Sequence, residues 1–463
     1  MARRERDLLG ERDIPDESLW GIHTLRAIEN FPISGRPPSP ALIQAMAQVK
    51  AAAARTNRDL GFLPKDIAEA ILAACAELAD GSLNGQIVVD ALQGGAGTSL
   101  NMNVNEVLAN RALELLGARR GDYARVDPLD HVNLHQSTND VFPTAIKVAA
   151  IALLKRLEPA IAALQTAFQS REAAFADVVK IGRTQLQDAA PMSLGAEFSA
   201  WAEALSRDRW RVFKCEERLR VVNLGGTAIG TGLTAPRDYI FAVTEALRAE
   251  TGFNLSRAEN LVDCTQNADP FVEVSGILKA HATTLFKISS DLRLLASGPR
   301  AGLGELILPA VQAGSSLMPG KVNPVIAEAV GQTALYVIGN DAMVTAAAMS
   351  GQLELNAFLP LLAEALLSSL SALEAVNRLF AERCVAGIEA DRAVCAGHVA
   401  ASWAIVTALV PLIGHQRAAA LAAQARASGR PVIELALEAG LADRATLDRL
   451  LSPAAMMALG YRG

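Results

Sequence analysis

The chain has 463 residues, 51% hydrophobic, 20% charged and only 5% aromatic. That composition excludes a disordered chain and calls for a large aliphatic interior spread over two or three regions. A formal charge of −6, with Lys and Arg scattered among Asp and Glu, leaves no basic field for a polyphosphate backbone and argues against nucleic acid as a partner.

At the N-terminus, Arg3, Arg4 and Arg6 run into Glu5 and Asp7 with no apolar stretch behind them, so no signal or transit peptide is indicated and a cytoplasmic location is expected. Pro32 to Pro40 reads as a loop. Strand signals are few: Gln86 to Val89 and Ala228 to Leu233 are too short to define a sheet. Next, Gly94, Gly95, Ala96, Gly97, Thr98, Ser99, Leu100 and Asn101 lead into a helix marked by Val104, Val107 and Leu108. Glycines there let backbone N–H groups and the Thr98 hydroxyl face an anion at a helix N-terminus; a structural turn uses the same residues. No Lys follows at the spacing of a nucleotide loop. His131 and His135 stand at i, i+4, but neither a Glu partner nor a third ligand is near, and no metal is assigned to them.

Gln136, Ser137, Thr138, Asn139 and Asp140 precede a long helix. One cap needs one such residue, so several donors are left for a carboxylate. Beyond Pro143, apolar residues fall at Ile146, Ala150, Leu153, Leu157, Ile161, Leu164 and Phe168, about 3.7 residues per step. Pro159 interrupts the run without shifting its phase, which predicts one kinked helix. Gly182 to Asp188 reads as a polar loop ahead of a helix starting near Pro191. Further long helices are predicted over about 193–221, 271–296, 324–350 and 360–382. Their apolar faces are too many for one subunit to cover, which predicts a bundle shared between chains. Between two of them lies Gly314, Ser315, Ser316, Leu317, Met318, Pro319, Gly320, Lys321, Val322, Asn323, Pro324, suited to a loop that closes over an anion, although a surface loop with an exposed Lys fits the same pattern. The apolar flanks argue for a buried loop base. Val399 to Gly414 is too short to span a bilayer and reads as one buried helix, so no membrane is expected. The five cysteines are odd in number and show no Cys-x-x-Cys pair, as reduced core thiols do.

Together these segments resemble the fumarase/aspartase superfamily and, within it, the aspartate ammonia-lyases. The run from Gly314 to Pro324 is similar to the superfamily's signature loop almost residue for residue. The narrower resemblance rests on LLGERDIP near Leu8, the segments from Trp20 to Phe31 and from Gln93, DHVNLHQSTNDVFPTA from Asp130, GRTQLQDAAPMSLG from Gly182 and QLELNAFLP from Gln352. Trp20, Leu100 and His135 depart from residues more usual in the family, and no motif is matched after about residue 392.

The resemblance implies a mostly α, three-domain subunit: a mixed N-terminal domain over 1–138, a central long-helix bundle over 139–392 and a small helical domain over 393–463. It also implies a homotetramer with active sites shared between subunits. Ser315 would be the general base. Thr98, Ser137, Thr138 and Ser316 would hold the substrate's β-carboxylate; Lys321, Asn323 and Thr184 its α-carboxylate; and Asn139 its amino group. Gln185, where fumarases usually carry His, and Glu328 would favour an ammonium over a hydroxyl. The implied reaction is elimination of ammonia from L-aspartate to give fumarate, with no cofactor and no catalytic metal. A class II fumarase acting on L-malate is the nearest alternative, an argininosuccinate- or adenylosuccinate-type lyase a more distant one. A structural protein recruited from the fold, as lens crystallins were, is the reading from another class.

Overall fold

The computed structural model describes residues 2–458 and 460. A hairpin of β1 (Ala2–Asp7) and β2 (Gly10–Pro15) precedes α1 (Ile22–Asn30), α2 (Pro40–Asp59), α3 (Lys65–Ala79) and α4 (Thr98–Leu115). Then α5 (Thr138–Ala174) leads through a second hairpin, β3 (Val179–Thr184) and β4 (Gln187–Ser193), into α6 (Leu194–Leu219). The chain continues through β5 (Val221–Val222), α7 (Arg237–Thr251), β6 (Ser256–Arg257), α8 (Leu261–Gln266), α9 (Asp269–Leu295), β7 (Leu306–Ile307), α10 (Val325–Met349) and α11 (Leu359–Arg383). Last come β8 (Glu389–Ala390), α12 (Arg392–Ala401), a 3-10 segment Trp403–Leu409, α13 (Val410–Ile413), α14 (His415–Ser428), α15 (Val432–Glu438), α16 (Arg444–Leu450) and α17 (Pro453–Met457). The architecture is mostly α, as the sequence predicts, and the five long helices stand where their apolar periods place them. Every residue of the α5 stripe, from Ile146 to Phe168, is buried.

Packing divides the chain into two compact units, one of residues 1–158, 210–280 and 336–374, the other of 159–209, 281–335 and 375–463. In the first, α2 packs on α3 and α7, and α3 on α4. The buried run Ala51 to Ala54 gives α2 the slim profile such close packing needs. Glu106, buried on α4, accepts from the N–H groups of Gly21, His23 and Thr24 and from the Thr24 hydroxyl. A carboxylate thus satisfies the free donors at the positive end of α1.

In the second unit the few aromatics gather: Phe168, Phe175, Phe198, Trp201 and Phe380 pack with ring centroids 4.8 to 5.9 Å apart. The β3–β4 hairpin packs on α12 and on the 3-10 segment. Beneath it, buried Glu305 receives both terminal nitrogens of Arg183 at 3.0 and 2.8 Å, meets His398 Nδ1 at 2.9 Å and lies 3.3 Å from Lys180 Nζ. Burial alone would raise the Glu305 carboxyl, but Arg183, Lys180 and His398 hold it below its usual range. A small C-terminal core, including Ile405, Leu409, Leu421, Leu435 and Leu447, closes the unit.

Three readings of the sequence are corrected here. Gly182 to Asp188 is no polar loop but the end of β3, the turn Gln185–Leu186 and the start of β4. Val399 to Gly414 is not one helix: α12 ends at Ala401, and its axis and that of the following Trp403–Ile413 segment differ by 78°. Ser402 ends the helix because its hydroxyl caps the next turn, accepting from Ala404 N–H, and donates to Asp188 Oδ2 at 2.6 Å. Pro191 does not open a helix either. It sits in β4, opposite Ile181, and α6 begins at Leu194.

Candidate active site

Two helix N-termini meet in the first unit. Gly97 caps α4 with φ +97°, and a Cβ there would lie 2.5 Å from the Phe142 ring, so the position tolerates only glycine on two counts. That close approach seats the first residue of α4, Thr98, against the first residue of α5, Thr138, their hydroxyls 3.1 Å apart. Asn101, one turn into α4, donates its Nδ2 to Thr138 Oγ1 at 3.1 Å. Ser137 and Asp140 form a reciprocal cap on α5: Ser137 Oγ accepts from Asn139 N–H, and Asp140 Oδ1 accepts from Ser137 N–H. Asp140 Oδ2 accepts from Gly225 and Thr227 N–H. Burial pushes the Asp140 carboxyl up to about 6 despite these donors and despite Lys50. Asn139 donates its Nδ2 to the Ala228 carbonyl at 2.7 Å, which leaves its amide oxygen as the group able to accept a further hydrogen bond. The cluster therefore offers hydroxyl donors at the positive ends of two helices, and one amide oxygen beside them.

Thr184 and Gln185 stand at the tip of the β3–β4 hairpin, both exposed. Its two-residue turn, Gln185 and Leu186, takes φ +54° and +61°, the left-handed region that neither side chain favours. Arg183, one residue before Thr184, is the residue clamped on Glu305.

Ser315, Ser316, Lys321 and Asn323 occupy one loop between β7 and α10. Gly314 N–H donates to the Lys321 carbonyl at 2.9 Å, and Asn323 Nδ2 donates to the Gly314 carbonyl, so the loop's two ends are tied. A Cβ on Gly314 would come within 2.5 Å of that Lys321 oxygen. Ser315 Oγ accepts two backbone N–H groups, from Leu317 at 3.1 Å and Met318 at 2.9 Å. Ser315 is half-buried, whereas Ser316 to Val322 are exposed, so the loop's base is shielded and its arch is not. Glu328 lies half-buried in the first turn of α10.

The predicted residues thus fall on three local frameworks: paired helix ends, a hairpin turn and a tied loop. The paired histidines serve elsewhere. His131 Nδ1 accepts from Asp127 N–H, and His135 Nδ1 lies 2.7 Å from Asn57 Oδ1. What the sequence reading passed over is the support: Asn101, Asp140, Asn133 and Lys50. Asn101 and Asp140 stood inside the quoted motifs, at i+3 from Thr98 and Ser137, the spacing at which a helical side chain meets its own N-terminus.

The family described as Lyase matches residues 10–339, and the family described as Fumarase C C-terminus matches residues 405–458. The chain belongs to the fumarase/aspartase superfamily. Among relatives, a protein named aspartate ammonia-lyase from Bacillus sp is 45% identical, covering 100% of this chain and 99% of that one. Among solved structures, a fumarate lyase:delta crystallin from Brucella melitensis bound to cobalt is 51% identical, with a TM-score of 0.95 and coverage of 99% and 100%. A recombinant class II fumarase from Schistosoma mansoni is 33% identical, with a TM-score of 0.90 and coverage of 98% and 99%. In this superfamily member, the match to the Fumarase C C-terminus falls on the small core beyond residue 392, where the sequence offered no motif.

Proposed function

We propose that this lyase is a carbon-nitrogen lyase that eliminates ammonia from L-aspartate to give fumarate, with Ser315 as the base. The observation that carries the mechanism is the pair of backbone N–H groups on Ser315 Oγ. A serine removes a weakly acidic C3 proton only as an alkoxide, and two fixed N–H donors stabilise that oxyanion. Thr98, Ser137, Thr138 and Ser316 hold the β-carboxylate, whose charge grows as the C3 proton leaves and the electron pair moves into it. Lys321, Asn323 and Thr184 hold the α-carboxylate. Asn139 presents its amide oxygen to the substrate ammonium. As the aci-carboxylate collapses, the C–N bond breaks and ammonia departs already carrying its protons.

Gln185 supports aspartate over malate. A neutral amide accepts a hydrogen bond from an ammonium but supplies no proton to a leaving hydroxide. Glu328 reinforces the preference for a cation. The names and 45% to 48% identities of full-length relatives support the same substrate. Exposed Trp210, Phe213, Leu335, Tyr336 and Met349 on long helices support a homotetramer whose subunits cover them and complete each other's sites. A cytoplasmic location is part of the same proposal.

The test follows fumarate by its ultraviolet absorbance with L-aspartate or L-malate as substrate. Aspartate turnover at least about a hundredfold faster is expected. Equal rates would favour a class II fumarase, and no turnover of either would sink the assignment.

A further inference from the structure

Lys50 has no part in the scheme above, yet it is wholly buried in the alanine-rich middle of α2. Its Nζ donates to Asn133 Oδ1 at 2.8 Å and to Gln136 Oε1 at 3.0 Å. Asn57, two turns along the same face of α2, donates its Nδ2 to the Leu134 carbonyl at 3.1 Å and meets His135 through its Oδ1. One helix face therefore grips every residue from 133 to 136, the segment that delivers Ser137 and Thr138. The grip has work to do, since His135 sits at φ +61°, a conformation strained for any residue but glycine.

The contacts run on from there. Asn133 Oδ1 also accepts from Asn101 Nδ2 at 3.2 Å and from Asn105 Nδ2 at 3.1 Å. The same Asn101 Nδ2 reaches Thr138 Oγ1, which in turn meets Thr98. With Asn101 Nδ2 donating to its oxygen, the Thr138 hydroxyl is held by an acceptor bond that leaves its own proton for a ligand. Burying an ammonium costs several kcal/mol unless geometry repays it, so a lysine used only to fill space here is a poor solution. Burial brings Lys50 down to about 7 against the opposing pull of Asp140.

We propose that Lys50 is a positioning residue for the elimination: through Asn133 and Asn101 it fixes the Thr138 hydroxyl as a donor to the carboxylate that gains charge. This rests on the reading that Thr138 binds the β-carboxylate. Because the bond strengthens as charge develops, losing Lys50 lowers kcat more than it weakens a ground-state dicarboxylate.

The experiment uses the full-length enzyme and the variants Lys50→Met, Asn133→Ala, Thr138→Ala, and both Asn133→Ala/Lys50→Met and Asn133→Ala/Thr138→Ala. Readouts are kcat and KM for L-aspartate, inhibition by succinate, and thermal unfolding. Lys50→Met is expected to lose at least about tenfold in kcat, with succinate inhibition changed less than kcat. Asn133→Ala should reproduce that loss, and neither double variant should be slower than its slower single parent by more than about twofold. Losses that multiply, or a folded Lys50→Met with kcat within about twofold of the parent, would overturn the proposal. A purely structural role would lower the unfolding temperature and leave kcat per folded molecule alone. Should Lys50→Met not fold, the Asn133→Ala and Thr138→Ala cycle decides, since independent losses there break the same chain of contacts. A Thr138→Ala enzyme as fast as the parent would instead remove the carboxylate reading beneath the proposal, while a slow Thr138→Ala beside a normal Lys50→Met would refute the Lys50 role alone.

Discussion

The threonine cluster and the serine loop both carry hydroxyls that the proposed mechanism uses, but they are built in opposite ways. Thr98 and Thr138 stand on helix ends locked by the contact of Gly97 with Phe142, over a buried layer of amides and one lysine. Ser315 stands on an arch whose hydrogen bonds are nearly all its own, among exposed Leu317, Met318 and Val322. The first is held by bonds from neighbouring elements; the second is tied at its ends and exposed at its crest. The contrast teaches a division of labour. A fixed cluster suits charge that must be stabilised without reorganisation, and a movable arch suits a base that has to exclude water and then release product.

The strongest way to break that division is Ser315→Ala. Removing a proton acceptor costs about 10³-fold or more in kcat, while succinate should bind as before and the unfolding temperature should stay put. Residual activity above about a tenth would take the base away from the loop. Thr138→Ala comes next: loss of one preorganised donor costs roughly 3 kcal/mol at the transition state, about 10²-fold in kcat, measured by steady-state kinetics with aspartate. Gly97→Ala sharpens the contrast from the packing side. The new methyl meets the Phe142 ring in a backbone conformation only glycine accepts, and calorimetry should report destabilisation of about 2 kcal/mol or more, with no like effect from Gly320→Ala beyond its own positive φ, since a Cβ there meets nothing within 4 Å. The smallest effect expected is from Ser402→Ala, which removes the bond to Asp188 and a cap. About 1 kcal/mol of stability should be lost, with a modest rise in KM for aspartate as the hairpin bearing Thr184 and Gln185 loosens.

How far the sequence reached follows the same physics. The long helices were legible because an apolar residue every 3.7 positions leaves few other ways to bury the stripe from Ile146 to Phe168. Val399 to Gly414 carried no such period, only apolar content, and Ser402 turned it. The β1–β2 hairpin was hidden because its side chains are mostly charged; Arg3 pairs with Glu5 and also satisfies the Pro15, Ser18 and Trp20 carbonyls, which no alternation rule anticipates. The β3–β4 turn was hidden because Gln185 and Leu186 hold positive φ without the Asn-Gly signature that usually announces it. At the candidate site, Thr98, Ser137, Thr138 and the loop from Gly314 to Pro324 stood out as polar residues crowded at the ends of apolar segments. Lys50 did not, because a single lysine among alanines on a helix reads as a solvated side chain until its surroundings are known.

The bond between Ser402 and Asp188 joins residues 214 positions apart, and the contacts of β3 with α12 and of β4 with the 3-10 segment span similar separations. Such pairings form slowly, because a long loop must close before any contact rewards it. During synthesis the β3–β4 hairpin leaves the ribosome more than two hundred residues before its partners do, with an open strand edge and no cover for its packed face. On that account the turn that holds Thr184 and Gln185 should gain its packing only after residues 392–409 have been made.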